Sequence, residues 1–358
     1  MCKIVFRYAH ICSLCAQSMA LKLTIRGIKM SKMIRKLAIA TAFGAIALSS
    51  IAPAVASAKE WPSDTIRFVV PYAAGGTTDL LSRKVADLLQ RELGTVVVEN
   101  RPGAGSTIAT AQLARGGRGS DHTILMASPG PTIGPAIYPK LRYNPGKDFN
   151  FVHNVIIIPN VMVVPASSPY NTVAEFIEAA KTKELTFSSP GIGSSIHMSG
   201  ELFKASTHTK MIHVPFRGSG EPLPALLGGD VDVAFENLPT VLPHIKSGKL
   251  KVLAVTSAER SPFLEGVPTL DEAGSQYGLE GFDTYAWFGI ITHKSMPKEA
   301  MDKINSAVNK MMASDDFVSF LALFGAQPGK DSGADFEAFI IKEIKMWESV
   351  ENKSKANY

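Results

Sequence analysis

Cysteine is almost missing from this chain. Its three cysteines, Cys2, Cys12 and Cys15, all precede Ala58, so the 300 residues that follow hold no disulfide, no thiolate metal ligand and no cysteine nucleophile. Common chemical signatures are missing too: no GxxxxGK[ST] phosphate loop, no HExxH zinc pair and no GxSxG nucleophile elbow occurs. Ile108 and Ile196 stand where the Gly103-x-Gly105 and Gly191-x-Gly193 turns would need a third glycine for a dinucleotide fingerprint. Seven histidines follow Ala58, none at metal-ligand spacing, so no metal and no cofactor is expected.

Positive charge is scarce once the first 58 residues are set aside. The chain carries 37 Lys plus Arg against 32 Asp plus Glu, a formal +5. Eight basic residues and no acidic ones lie in that first stretch, which leaves 29 against 32, a formal −3. A body of that sign has no general phosphate-neutralising surface, which argues against nucleic acid as a partner.

The leading segment reads as an export signal. Lys32, Arg35 and Lys36 precede an apolar run over 37–51, and small-x-small cleavage patterns end at Ala56 and Ala58. The run is shorter than the ~20 residues a membrane-spanning helix needs. Cleavage near Ala58 and a periplasmic product follow as expectations. Residues 1–29 resemble neither a signal nor a domain, and Met1, Met30 and Met33 are alternative starts.

The remainder alternates β-type runs with helical periodicity, which predicts α/β domains with largely parallel sheets; the length prior gives two domains. Strands are predicted at 66–70, 96–98, 123–127, 185–188, 211–214, 231–235, 251–256 and 287–291. Helices are predicted at 79–93, 107–114, 172–181, 194–205, 223–227, 297–312, 316–324 and 334–350. The stretch 155–165 is apolar but interrupted by proline.

Three glycine-rich turns, at 72–79, 101–106 and 188–195, follow strands and open helices. Such a turn aims backbone N–H groups and the positive end of a helix dipole outward, and suits a small carboxylate in size and charge. Hydroxyls of Thr77, Thr78, Ser189 and Ser194 add neutral donors; the plainer reading makes the glycines turn formers and Thr78 or Ser194 an N-cap. Asp79 in a first helical turn fits a structural role. His197 and Glu201 share a helix face, which fits capping or core packing better than general-base work. Glu236 ends a predicted strand and can enter a cleft. Arg217 fits either pairing with a second ligand carboxylate or an exposed, structural place.

These residues resemble a known family. Trp61-Pro62, Pro71-Tyr72…Gly75-Gly76-x-Thr78-Asp79, the run VVVENRPGAGS at 96–106, Lys147-Asp148-Phe149, the segment 188–197, His213-Val214-Pro215, Ala254-Val255-Thr256-Ser257, Val267-Pro268-Thr269 and Glu343…Trp347 are similar, in order, to Bug-type substrate-binding proteins, the receptors of tripartite tricarboxylate transporters. The resemblance implies a two-lobed periplasmic binding protein of type II, two α/β domains joined by two crossover strands: a leader over 1–58, lobe 1 over 59–161 plus 286–358, and lobe 2 over 162–285. It implies a non-catalytic receptor for a small organic carboxylate (a di- or tricarboxylate, an aromatic acid or an amino acid), monomeric, with transient contact to inner-membrane transporter subunits. Its carboxylate loops fall on 74–79 and 189–197. The candidate ligand set is Tyr72, Ala74, Gly75, Gly76, Thr77, Thr78, Asp79, Ser128, Ser189, Gly191, Gly193, Ser194, His197, Arg217 and Glu236. Ala73 and Ala74 stand where the family usually has two prolines, Glu236 where Asp is common and Arg217 where Lys is common. The alternatives are an exported α/β enzyme using His197 and a sensor signalling to a membrane partner.

Overall fold

A computed structural model describes residues 60–356 apart from Pro139, Arg217, Ser219 and Gly220, with side chains described as far as Ser349. The leader read at 30–58 lies outside the described residues. Among the described residues no helix is long and apolar enough to cross a membrane.

The chain opens with β1 (Ile66–Val70), α1 (Thr77–Leu93), β2 (Val96–Asn100), α2 (Thr107–Arg115) and β3 (Thr123–Ala127). Next come α3 (Gly130–Ile137), β4 (Phe149–Pro165), α4 (Val173–Thr182), β5 (Thr186–Ser189), α5 (Ser195–Thr207) and β6 (Ile212–Pro215). There follow α6 (Pro222–Gly228), β7 (Val233–Asn237), α7 (Leu238–Lys246), β8 (Leu250–Val255), α8 (Leu270–Gly274) and β9 (Tyr285–His293). The chain ends with α9 (Lys298–Met312), α10 (Asp315–Phe324), the short β10 (Gln327–Pro328) and α11 (Gly333–Ala356).

The strands form a sheet of order β2-β1-β3-β9-β4-β7-β5-β6, with β8 and β10 also paired to β4. The expected parallel pairing holds away from the centre, where β1 pairs with β2 and β3, and β5 with β6 and β7. At the centre it fails. All of β4's pairings are antiparallel, with β7, β8, β9 and β10, and β9 is antiparallel to β3. The reason is connectivity: a strand that leaves one half of the sheet and returns runs against its neighbours, whereas βαβ crossovers make parallel pairs.

The proline-interrupted stretch, 155–165, is the C-terminal part of β4, one strand of 17 residues. Its first part, Phe149 to Pro159, pairs with β9. From Asn160 it pairs with β7, and from Val161 with β8. One strand therefore serves both halves, and the fold is the two-lobed α/β type.

Each half is covered on both faces, because alternate strand residues point to opposite sides. Ile66 and Phe68 of β1 pack with α1, α9 and α10, while Val69 faces α2 and α11. In the other half Met162 and Val164 of β4 join α4 and Phe203 of α5, while Val161 and Val163 join α6 and α7. The helices α3 and α7 run through Pro135 and Pro243, which explains why hydrophobic periodicity did not reveal them.

Candidate functional site

The first loop leaves β1 through Tyr72 and enters α1, whose N-cap is Gly76 instead of the expected Thr78. No side chain caps this end, so main-chain N–H groups of the first turn are left for another acceptor. Asp79 faces back onto its own loop. Its Oδ2 accepts from Gly75 N–H and Arg83 Nε at 3.0 Å each, and its Oδ1 from Asn100 Nδ2 at 2.9 Å. Burial raises the pKa of this carboxyl. The bonds from Arg83, Gly75 and Asn100, with the Arg83 charge, outweigh that and hold it below the usual range. Asp79 thus braces a loop that lacks the family's two prolines, in line with the structural reading of this residue.

The second loop leaves β5 and opens α5. Ser194 is a true N-cap: its Oγ accepts from His197 N–H at 3.1 Å and donates to Gly191 O at 2.8 Å. Ser189 Oγ accepts from Gly191 N–H at 3.1 Å and lies 2.6 Å from His213 Nε2. His213 stacks on Phe187 and lies 4.3 Å, centroid to centroid, from His197. Burial pushes both histidines down to about 4, helped by Lys204 at each and by His197 at His213. His197 Nδ1 accepts from Gly193 N–H at 3.4 Å. A neutral histidine whose ring nitrogen is spent on its own loop, beside a Glu201 already paired with Lys204, is a loop support and removes the basis for an enzyme reading.

The two loops meet. Between them is a cavity of about 10 Å³ lined by Tyr72, Thr78, Ser128, Pro129, Pro190, Ser194, Ser195, Ile196, Asn237 and Phe288, with no charged side chain. That is room for about one water, against the ~300–1,000 Å³ of ordinary ligand pockets. The lips touch around it. Thr77 Oγ1 lies 2.7 Å from Thr240 Oγ1 of α7, and Tyr138 OH donates to Ile192 O at 3.1 Å. Gly218 approaches Ala73 so closely that a Cβ on it would lie 2.7 Å from the Ala73 nitrogen. The remaining glycine-rich turn, 101–106, belongs to this closure: a Cβ on Gly105 would fall 2.1 Å from Ile192 O.

Of the expected residues, Tyr72, Thr78, Ser128 and Ser194 line the cavity. Thr77 bridges the lips. Gly75, Gly76, Gly191, Gly193, Ser189 and His197 shape the loops behind it, and Ala74 is exposed at the rim. Arg217 lies outside the described residues. Glu236 is buried and its Oε1 accepts from Asn237 N–H at 2.9 Å, so the next residue, Asn237, takes the place in the lining. Neighbours along a strand face opposite sides, so Glu236 and Asn237 take different surroundings. Asn237 and Phe288 carry no motif, whereas Ser195 lies within the 188–195 turn without having been singled out. The pointer to Asn237 is its place at the carboxyl end of a strand, where α/β sheets put ligands. No group of three metal-ligating side chains occurs among the described residues.

The model of the tripartite tricarboxylate transporter family receptor matches residues 81–355. The chain belongs to that family. Its members are solute-binding receptors, not enzymes. Among solved structures it is similar to Rpa4515 of R. palustris with adipate, at 33% identity and a TM-score of 0.77, over 83% of this chain and 99% of that one. It is similar to the periplasmic binding protein BugD at 30% and 0.78, over 82% and 99%. MatC of Rhodopseudomonas palustris with bound malate matches at 30% and 0.76, over 81% and 100%. The Bug-type resemblance read from the motifs and the two-lobed fold therefore hold for this receptor.

Proposed function

We propose that this receptor works in the periplasm as a monomer, capturing a small dicarboxylate between lobes formed by 59–161 plus 286–358 and by 162–285, and presenting it to a tripartite tricarboxylate-type transporter. The observation that carries the reading is the convergence of two donor-rich loops from opposite lobes on one uncharged cavity. Uncapped N–H groups of α1, the hydroxyls of Thr78 and Ser128, and the Asn237 amide offer neutral donors to an anion. The partner change of β4 between Pro159 and Asn160 supports the lobe division. Adipate and malate in two relatives support the ligand class.

A dicarboxylate needs more room than the closed lips leave, so entry requires the lobes to part about the crossover strands. Binding then favours reclosure to the extent that the ligand prefers the closed form. A micromolar affinity corresponds to about −8 kcal/mol, within reach of a few charge-assisted hydrogen bonds in a closed cleft. The test is a thermal-shift screen of the protein with dicarboxylates, tricarboxylates, aromatic acids and amino acids. A raised melting temperature with four- to six-carbon diacids is the expected outcome; no rise with any acid would overturn the reading.

A further inference from the structure

The cavity's one amide is wired to both crossover segments. Asn237 Oδ1 accepts from Asn160 Nδ2 at 2.7 Å. Asn160 Oδ1 in turn accepts from Ser199 Oγ of α5 at 3.1 Å, and Ser199 Oγ lies 2.7 Å from Thr284 Oγ1. Asn160 sits where β4 changes partner, and Thr284 directly precedes β9, so the chain spans both connections between the lobes. Main-chain bonds tie the same points: Thr256 N–H donates to Asn160 O and Thr284 N–H to Thr256 O, each at 2.9 Å. Asn160, Ser199, Thr284 and Asn237 are all buried.

The direction of this chain decides what the cleft presents. Suppose both amides were turned over. Asn237 would donate to Asn160, Asn160 to Ser199 and Ser199 to Thr284. The Thr284 hydroxyl proton would then end the chain with no acceptor among the described residues, at a site only 2% exposed. Leaving a buried donor unmade is unfavourable. In the other direction Thr284 donates to Ser199, Ser199 to Asn160 and Asn160 to Asn237, so each hydroxyl proton has an acceptor and the bonds reinforce one another. Asn237 Oδ1 is then occupied. Its Nδ2 has no acceptor among the described residues and is the end of the amide left for the cavity it lines.

We propose that Asn237 is a specificity-determining residue, a donor that reads an oxygen at the far end of the ligand, and that Asn160, Ser199 and Thr284 are positioning residues that keep its amide from turning over. This deepens the carboxylate-receptor reading and rests on it. A fixed N–H donor selects a second carboxylate or carbonyl oxygen there and disfavours an ammonium.

The test compares adipate with hexanoate, which share a chain length and one carboxylate, by calorimetry on the wild type and on Asn237→Asp, Ser199→Ala and Thr284→Ser. Wild type should prefer adipate. Asn237→Asp should weaken adipate by roughly ten- to hundredfold, the scale of a hydrogen bond to a charged group, with hexanoate nearly unchanged. Ser199→Ala, which never touches the ligand, should shrink the adipate-to-hexanoate ratio, and Thr284→Ser should keep it because the hydroxyl remains. Circular dichroism melting of each variant separates lost folding from lost selectivity. Equal weakening of both acids, or an unchanged ratio in Asn237→Asp and Ser199→Ala, would overturn the proposal while leaving carboxylate binding intact. Binding of neither acid, nor of any other carboxylate, to the wild type would instead overturn the reading beneath it.

Discussion

Gly105→Ala isolates the contact on which closure depends. Gly105 has φ +55°, and a Cβ there would lie 2.1 Å from Ile192 O and 3.0 Å from the Gly193 carbonyl carbon. Cβ contacts below 3.0 Å are essentially never seen, so the two backbones must part by about 0.9 Å (3.0 less 2.1) before the lips can meet. Neither neighbour is a flexible side-chain tip that can swing away. The substitution also introduces left-handed strain of ~1–2 kcal/mol, but that strain is present whether the lobes are open or closed. Only the clash with the second loop distinguishes the two states. The expected result is a loss of carboxylate affinity of at least about tenfold, equivalent to ~1.4 kcal/mol against the closed form. Gly94→Ala is the control. Gly94 caps α1 at φ +76° with nothing within 4 Å of its would-be Cβ, so it should lower the melting temperature and leave affinity alone. Calorimetric titration of both variants, with small-angle scattering to follow closure, reads the difference. Wild-type affinity and wild-type compaction in Gly105→Ala would refute the contact's role.

Three further outcomes follow from the same geometry. Thr240→Val removes the hydroxyl that meets Thr77 across the lips and should cost about 1 kcal/mol of ligand affinity with little change in melting temperature, as calorimetry and thermal melts would record. Asp79→Asn weakens the brace on the first loop and should lower both the melting temperature and carboxylate affinity, by an amount near the ~1.5–3 kcal/mol of a charged hydrogen bond; an unchanged pair of values would contradict the brace. His197 and His213 titrate near 4 in the folded protein and at 6.5 unaltered, so the unfolded chain takes up protons first as pH falls. Stability present above pH 6.5 is therefore lost between 6.5 and 4, by roughly 3 kcal/mol for the mostly buried His197 taken alone and by less for the half-buried His213, whose charge solvent screens. Denaturant melts of the wild type and His213→Gln check this, and the variant should show the shallower slope.

The fold was legible wherever a physical pattern repeats. Strand 66–70 and strand 123–127 are found as their apolar runs predict, and the helix at 77–93 differs from its periodicity only by starting two residues earlier. What stayed hidden depends on contacts between distant segments. Residues 155–165 read as a broken apolar stretch because proline at 159 is no ladder donor, yet the strand that begins at Phe149 continues through it on other partners. Likewise α3 and α7 carry prolines that break the usual helical pattern, although α7 brings Thr240 to the cleft.

The site divides the same way. Local chemistry pointed to both loops, and the structure brings them together around Tyr72, Thr78, Ser128 and Ser194. Local chemistry also offered two readings for Ser194, and its bonds to Gly191 and His197 identify an N-cap that lines the cavity as well. The β7 side of the cavity was not legible, because a single residue separates the buried Glu236, which accepts from Asn237 N–H, from Asn237 in the lining. No composition or motif encodes that choice. The turn at 101–106 offered both an anion-site and a plain turn-forming reading, and sequence did not show that the absence of a side chain at Gly105 makes room for the second loop's carbonyl.

Isothermal titration calorimetry of the protein with adipate and with malate tests the central claim most directly. The account predicts saturable one-to-one binding with a negative heat-capacity change, since closing the lobes removes apolar surface from water. Folded, ligand-free protein that gives no saturable heat with either diacid, nor with any carboxylate that raises its melting temperature, would contradict it.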